Sequence, residues 1–104
     1  IDCFRLPIER EGYSSNYQSY SIYLKENSPI ARDDMMQKLL DMGIATRSGV
    51  MTSHRETAYI DYSEEKLPVS ENLCDQSIII PLYVPMSQKE IDYVIESIKI
   101  VIKK

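Results

Sequence analysis

The chain has no tryptophan, one phenylalanine, one histidine and only three glycines in 104 residues. With one histidine, any histidine-assisted nucleophile would have to use His54, and no G-x-S-x-G elbow accompanies the neighbouring Ser53. Three scattered glycines form neither a glycine-rich phosphate loop nor a dinucleotide fingerprint. Cys3 and Cys74 belong to no Cys-x-x-Cys or Cys/His cluster, so no metal site is expected. Cys3 and Cys74 could pair in a disulfide, but two reduced thiols in a cytoplasmic protein are the simpler expectation. No apolar run approaches the ~18 residues of a membrane span, and there is no signal-peptide pattern and no N-x-[ST] acceptor. Basic residues are outnumbered, 12 against 16 acidic, for a net charge of −4. Nucleic acid wants a basic face and is not an expected partner, although eight tyrosines could stack bases.

What remains is an ordinary globular balance, 43% apolar and 27% charged. The length suits a single domain over 1–104 that buries roughly two-thirds of its unfolded surface. A start at Ile1 rather than Met suggests a piece of something longer.

Residues 1–8, IDCFRLPI, alternate apolar and polar, and Pro7 confines them to a strand edge or an extended lead-in. A polar loop follows at 10–15 around Gly12. Asn16–Leu24 is predicted as a strand, with Tyr20, Ile22 and Leu24 on one face. Ser28 as N-cap and Pro29 at the first position predict a helix over 30–42. Asp33 and Asp34 sit near its positive end, and Met35, Met36, Leu39 and Leu40 make its apolar stripe. Gly43 supplies the left-handed residue that ends it. A short strand is expected over 44–47. Residues 48–68 show no period beyond one helical turn around 54–60, and Glu64, Glu65 and Lys66 read as a solvated face. Two helical turns over 70–76 capped by Ser70 precede a buried strand over 77–84, terminated or bent by Pro81. The last helix opens on a capping box, Ser87 and Glu90. Its apolar face is Ile91, Val94, Ile95, Ile98 and Ile102, and Lys99, Lys103 and Lys104 complement its negative end. The order implies an α+β domain: a small antiparallel sheet of three or four strands with helices packed on one face.

The densest polar stretch is Gly43–Tyr59, GIATRSGVMTSHRETAY, with the only histidine and two of the five arginines. So long an irregular segment in a small domain is uncommon unless it is functional. Arg47, His54 and Arg55 are suited to an anion such as a phosphate, carboxylate or diphosphate. The alternative is structural: the arginines pair with local glutamates such as Glu56, and His54 is a partly buried residue with a backbone partner. No nucleophile, base and orienter come together in the sequence, so no catalytic residue is expected.

Three stretches, LPIEREGYSSNYQSYSIYL, ARDDMMQKLLDMGIATRSGVMTSHRETAY and LPVSENLCDQSIIIPLYVPMSQKEIDYVIESIK, together resemble the C-terminal part of the DegT/DnrJ/EryC1/StrS aminotransferases. The resemblance covers about residues 6–98. It rests on Asn16 to Tyr20, on the Gly43–Glu56 loop, and on the run from Pro81 through Met86 to Ile91. It implies the small domain of the aspartate-aminotransferase fold, taken from a pyridoxal-phosphate (PLP) enzyme that aminates keto-sugar nucleotides and serves polysaccharide biosynthesis. In such enzymes the large domain supplies the Schiff-base lysine and most of the cofactor's phosphate cup. None of this chain's seven lysines matches that lysine segment, so the piece alone is expected to be inactive. The resemblance also implies an amino-acid donor, glutamate, a homodimeric intact enzyme, and substrate contacts from Asn16, Gln18, Arg47, His54 and Arg55. Ser48 and Thr57 depart from the family's usual arginine or proline, and proline, and so point to a different loop shape or sugar preference. The competing class is a stand-alone α+β ligand-binding or regulatory module without catalysis.

Overall fold

The computed structural model describes residues 1–62, 64 and 66–103. Four strands, β1 (Phe4–Arg5), β2 (Tyr20–Leu24), β3 (Arg47–Ser48) and β4 (Ser77–Ile80), form one sheet in the order β1-β2-β4-β3. Every neighbouring pair is antiparallel. The helices are α1 (Arg32–Asp41), α2 (Pro68–Gln76) and α3 (Gln88–Ile102), with 3-10 turns at Ser53–Arg55 and Thr57–Tyr62.

Paired residues share a face of a sheet. The registers Phe4↔Leu24, Ile22↔Ile78 and Tyr20↔Ile80 therefore align one apolar face. Against it pack Met35 and Leu39 of α1 and Val94, Ile98 and Val101 of α3, which close the core with Ile44. Thus α1 and α3 lie together on that face, as the sequence predicts. The other face carries Arg5, Ser21, Tyr23, Ser77, Ile79 and Arg47 by the same registers. It is met by α2, where the Tyr23 hydroxyl donates to Asn72 Oδ1 at 2.6 Å.

Several boundaries move for identifiable reasons. The strand expected from Asn16 starts at Tyr20, because Asn16–Ser19 have no strand beside them. Tyr17 there adopts a left-handed φ of 44° and stacks on Tyr20. Helix α1 begins at Arg32 with Ala31 as its N-cap, not Ser28, whose hydroxyl instead donates to the Ile30 carbonyl at 2.8 Å. Asp33 and Asp34 do occupy the first turn. Leu40 is exposed, since the buried stripe runs through Met35 and Leu39. The third strand is Arg47–Ser48 rather than 44–47, because Ile44 turns into the core. Helix α2 starts at Pro68 behind Leu67, so Ser70 lies inside it and caps nothing. The fourth strand stops at Ile80, before Pro81, which has no N–H to give a ladder.

Other signals appear as read. Gly43 takes φ +79°, its N–H donating to the Leu40 carbonyl and the Ile44 N–H to that of Leu39, both at 2.8 Å. That is a Schellman motif, with Ile44 and Leu39 meeting in the core. The capping box forms: Glu90 N–H donates to Ser87 Oγ, and Ser87 N–H to Glu90 Oε2 at 2.7 Å. On α3 the buried stripe is Val94, Ser97, Ile98 and Val101, while Ile95 is half exposed. Glu64 and Lys66 are exposed; Glu65 and Lys104 fall outside the described residues. Cys3 is buried, Cys74 partly so, and both are free.

Candidate functional site

The two sides of the sheet offer different chemistry. On the α1/α3 side a groove of about 400 Å³ opens among the core edges, its walls including Ile1, Phe4, Leu6, Tyr20, Ile91 and Ile95. No charged side chain among the described residues lines it. It suits an apolar surface, not a charged small molecule.

The polar residues gather on the α2 side. Arg47 follows Ile44, Ala45 and Thr46 out of the Schellman motif and pairs with Ile79 of β4. Its side chain is exposed and has no hydrogen bond or ion pair among the described residues. Beside it, Ser48 faces the other way and accepts from Arg32 Nη1 of α1 at 3.0 Å. Gly49 then closes on β4, its N–H donating to the Ser77 carbonyl at 3.1 Å. A Cβ on Gly49 would lie 2.3 Å from Ser77 Cβ, so only glycine fits this crossing.

Past Val50 and Met51 the chain locks onto α2. His54 is buried, and its Nε2 lies 2.7 Å from Glu71 Oε1. Hydrogen bonds from His54 and then from the Leu67 N–H hold the Glu71 carboxyl below the usual range. An ionised carboxylate only accepts, so Nε2 carries the shared proton. Arg55 makes a bidentate pair with Asp75, Nη2 to Oδ1 at 2.9 Å and Nη1 to Oδ2 at 3.2 Å. Its Nε also donates to buried Thr52 Oγ1 at 2.9 Å. The Arg55 bond lowers the Asp75 pKa, and Asp75 raises that of Arg55. Both partners of this loop are therefore on α2, one helical turn apart, rather than at Glu56.

Asn16 and Gln18 are exposed in the segment entering β2, where Asn16 Oδ1 accepts from the Gln18 N–H at 3.4 Å. Tyr20 pairs with Ile80 and Arg47 with Ile79, so this segment leaves the sheet at the end where β3 begins. The registers thus bring Asn16, Gln18 and Arg47 to one end of the sheet. His54 and Arg55 lie farther along, against α2. Glu71 and Asp75 are the residues that sequence reasoning missed. Their i, i+4 spacing on a helix was the available signal, but nothing in the sequence tied them to a loop 17 to 20 residues earlier.

The described lysines, Lys25, Lys38, Lys66, Lys89, Lys99 and Lys103, are all exposed. None of these amines is withdrawn from solvent among the described residues. Among them no three His, Cys, Asp or Glu side chains are grouped to hold a metal. Among the described residues no helix is long and apolar enough to cross a membrane.

Comparison with solved structures gives the same fold repeatedly. An aminotransferase from Brucella abortus, described as DegT DnrJ EryC1 StrS, is 31% identical, with TM-score 0.78 over 99% of this chain and 27% of its own. The aminotransferase TlmJ from Streptoalloteichus hindustanus is 25% identical, with TM-score 0.82 over 97% of this chain and 26% of its own. Spr1654 of Streptococcus pneumoniae, assigned as a sugar aminotransferase and solved in its PLP-form, shares the fold at TM-score 0.84 and 24% identity, over 95% of this chain and 26% of its own. The chain spans about a quarter of the length of each. The pattern of one family covers residues 3–99, and the chain accordingly belongs to the DegT/DnrJ/EryC1/StrS aminotransferase family.

Proposed function

We propose that this chain is the C-terminal small domain of a PLP-dependent aminotransferase acting on keto-sugar nucleotides, and that it covers the substrate side of the active site. The observation that carries the reading is Arg47: an exposed guanidinium without a partner among the described residues, on an edge strand paired to β4, within a family match over 3–99. An unpaired guanidinium displayed on a paired strand is suited to a phosphate or diphosphate. Asn16 and Gln18, at the same end of the sheet, would meet the sugar. His54 and Arg55, turned toward α2, would hold the loop.

In this reading the Schiff-base lysine and the cofactor's phosphate cup come from polypeptide outside these residues. PLP supplies the electron sink for the transamination; this domain binds and orients the substrate. The apolar groove is where the rest of a longer chain packs. The amino donor is glutamate, the intact enzyme is a cytoplasmic homodimer, and residues 1–104 alone are inactive. The sugar-aminotransferase assignment of a structural neighbour supports the substrate class.

The test is to join the chain to its upstream coding sequence and assay keto-sugar nucleotides. The longer polypeptide should bind PLP and turn over, and the 104 residues alone should do neither. Arg47→Ala in the longer enzyme should raise KM for the sugar nucleotide at least about tenfold, the size of a lost charged hydrogen bond, with the donor KM unchanged. Stoichiometric covalent PLP on the short chain, or an Arg47→Ala enzyme with wild-type constants, would overturn the reading.

A further inference from the structure

We infer that Glu71 and Asp75 are positioning residues for Arg47, acting through a clasp that fastens the Thr52–Arg55 turn to α2. The inference rests on the proposed substrate role of Arg47 and deepens it.

The segment from Arg47 to α2 is fixed at two places. At its start, Arg47 and Ser48 pair with Ile79 and Ile78, and Gly49 donates to the Ser77 carbonyl. These are few bonds for a two-residue edge strand, and such strands fray. The second fixture is the clasp, formed by two residue pairs. His54 reaches Glu71 at 2.7 Å, and the Arg55 fork spans both oxygens of Asp75. Glu71 also accepts from the Leu67 N–H at 3.2 Å, so the same carboxylate ties the first turn of α2 to the loop. Thr52, buried beneath, accepts from Arg55 Nε. Only Val50 and Met51 lie between the two fixtures, both exposed.

The geometry makes one rigid path. Helix α2 runs directly into β4, with Gln76 followed by Ser77. The helix holding the clasp and the strand holding Arg47 are therefore one continuous piece of chain. With both fixtures made, the loop is closed on a single support and the Arg47 backbone is held on the α2 face. With the clasp released, the two-residue strand alone must hold that placement against a mobile loop. A bidentate guanidinium–carboxylate pair supplies such directionality better than a lysine would, because its planar fork is already organised.

The test uses the longer, PLP-loaded enzyme. Glu71→Gln keeps an acceptor for the Leu67 N–H, and Asp75→Asn is an exposed change, so both should fold. The double variant should raise KM for the sugar nucleotide about fivefold or more and leave kcat and the donor KM within about twofold. Arg47→Ala should then cost less in that background than in the wild type, with a coupling between about twofold and a hundredfold, as for residues sharing one network. Asp75→Glu, which keeps the charge, should recover most of the loss. Amide hydrogen exchange over residues 49–56 should quicken in the double variant, a readout that needs no turnover. Additive effects of Arg47→Ala and the clasp variants, or unchanged exchange, would overturn the inference while leaving the substrate role of Arg47 standing. An Arg47→Ala enzyme with unaltered constants would remove that role and this inference together.

Discussion

Gly49→Ala is the sharpest structural perturbation the chain offers. The new methyl would sit 2.3 Å from Ser77 Cβ, 3.1 Å from Ser21 Oγ and 3.3 Å from the Ser77 carbonyl carbon. Ordinary contact begins at 3.4 Å, so the methyl must retreat by about 1.1 Å. Two of the three obstacles belong to the buried Ser77, one of them its backbone, and cannot swing aside. The strand must move instead, and the 3.1 Å bond from Gly49 N–H to the Ser77 carbonyl moves with it. Overpacking typically costs about 1–3 kcal/mol and a lost hydrogen bond about 1 kcal/mol. Together they give about 2–4 kcal/mol, or a fall of roughly 10–25 °C in Tm for a domain of this size. Thermal unfolding followed by circular dichroism measures it. Adding Ser77→Gly removes the nearest obstacle, so the double variant should be more stable than the two single losses add up to. A Gly49→Ala protein within about 0.5 kcal/mol of wild type, or strict additivity with Ser77→Gly, would refute the steric reasoning.

Two further outcomes follow from the same coordinates. Bonds from Ser87 first and then Tyr83 hold the Glu90 carboxyl down at about 2, against an ordinary 4.5. Its contribution to stability is full above pH 4.5 and fades as the pH falls through 2, so Glu90→Gln should remove that acid-dependent part and flatten the stability profile across this window; an unchanged profile in acid-titration unfolding would contradict it. For the cysteines, a thiol reagent should modify Cys74 in the native protein and Cys3 only after denaturation, given their burial; equal native reactivity would contradict the placement of β1.

Much of this architecture was legible in the sequence because local rules and burial agreed. The capping box at Ser87 and the Gly43 stop needed nothing beyond neighbouring residues. The two-faced alternation of Tyr20, Ile22 and Leu24 gave the central sheet. Helix starts were harder. Ser28 and Ser70 have the right chemistry for caps, yet Ser28 turned its hydroxyl to its own loop and Ser70 lies within a helix that Pro68 starts earlier. Ile95 belonged to an apolar period that the structure splits between a buried stripe and an open groove. For the site, the loop and its charged residues stood out, but their division of labour did not. Arg47 and Arg55 look alike in sequence, and only the fold shows that one faces an acidic helix and the other faces water.

The order of strands has a consequence for how such a chain is made. The strand at residues 77–80 lies between β2 and β3, so neither has its inner neighbour until the ribosome has released three-quarters of these residues. Until then the Tyr20–Leu24 segment has only the two residues of β1 to pair with, and its apolar side is open to water. The polypeptide must wait for its late arrival before the layer can close, and the helix that seals it comes last of all.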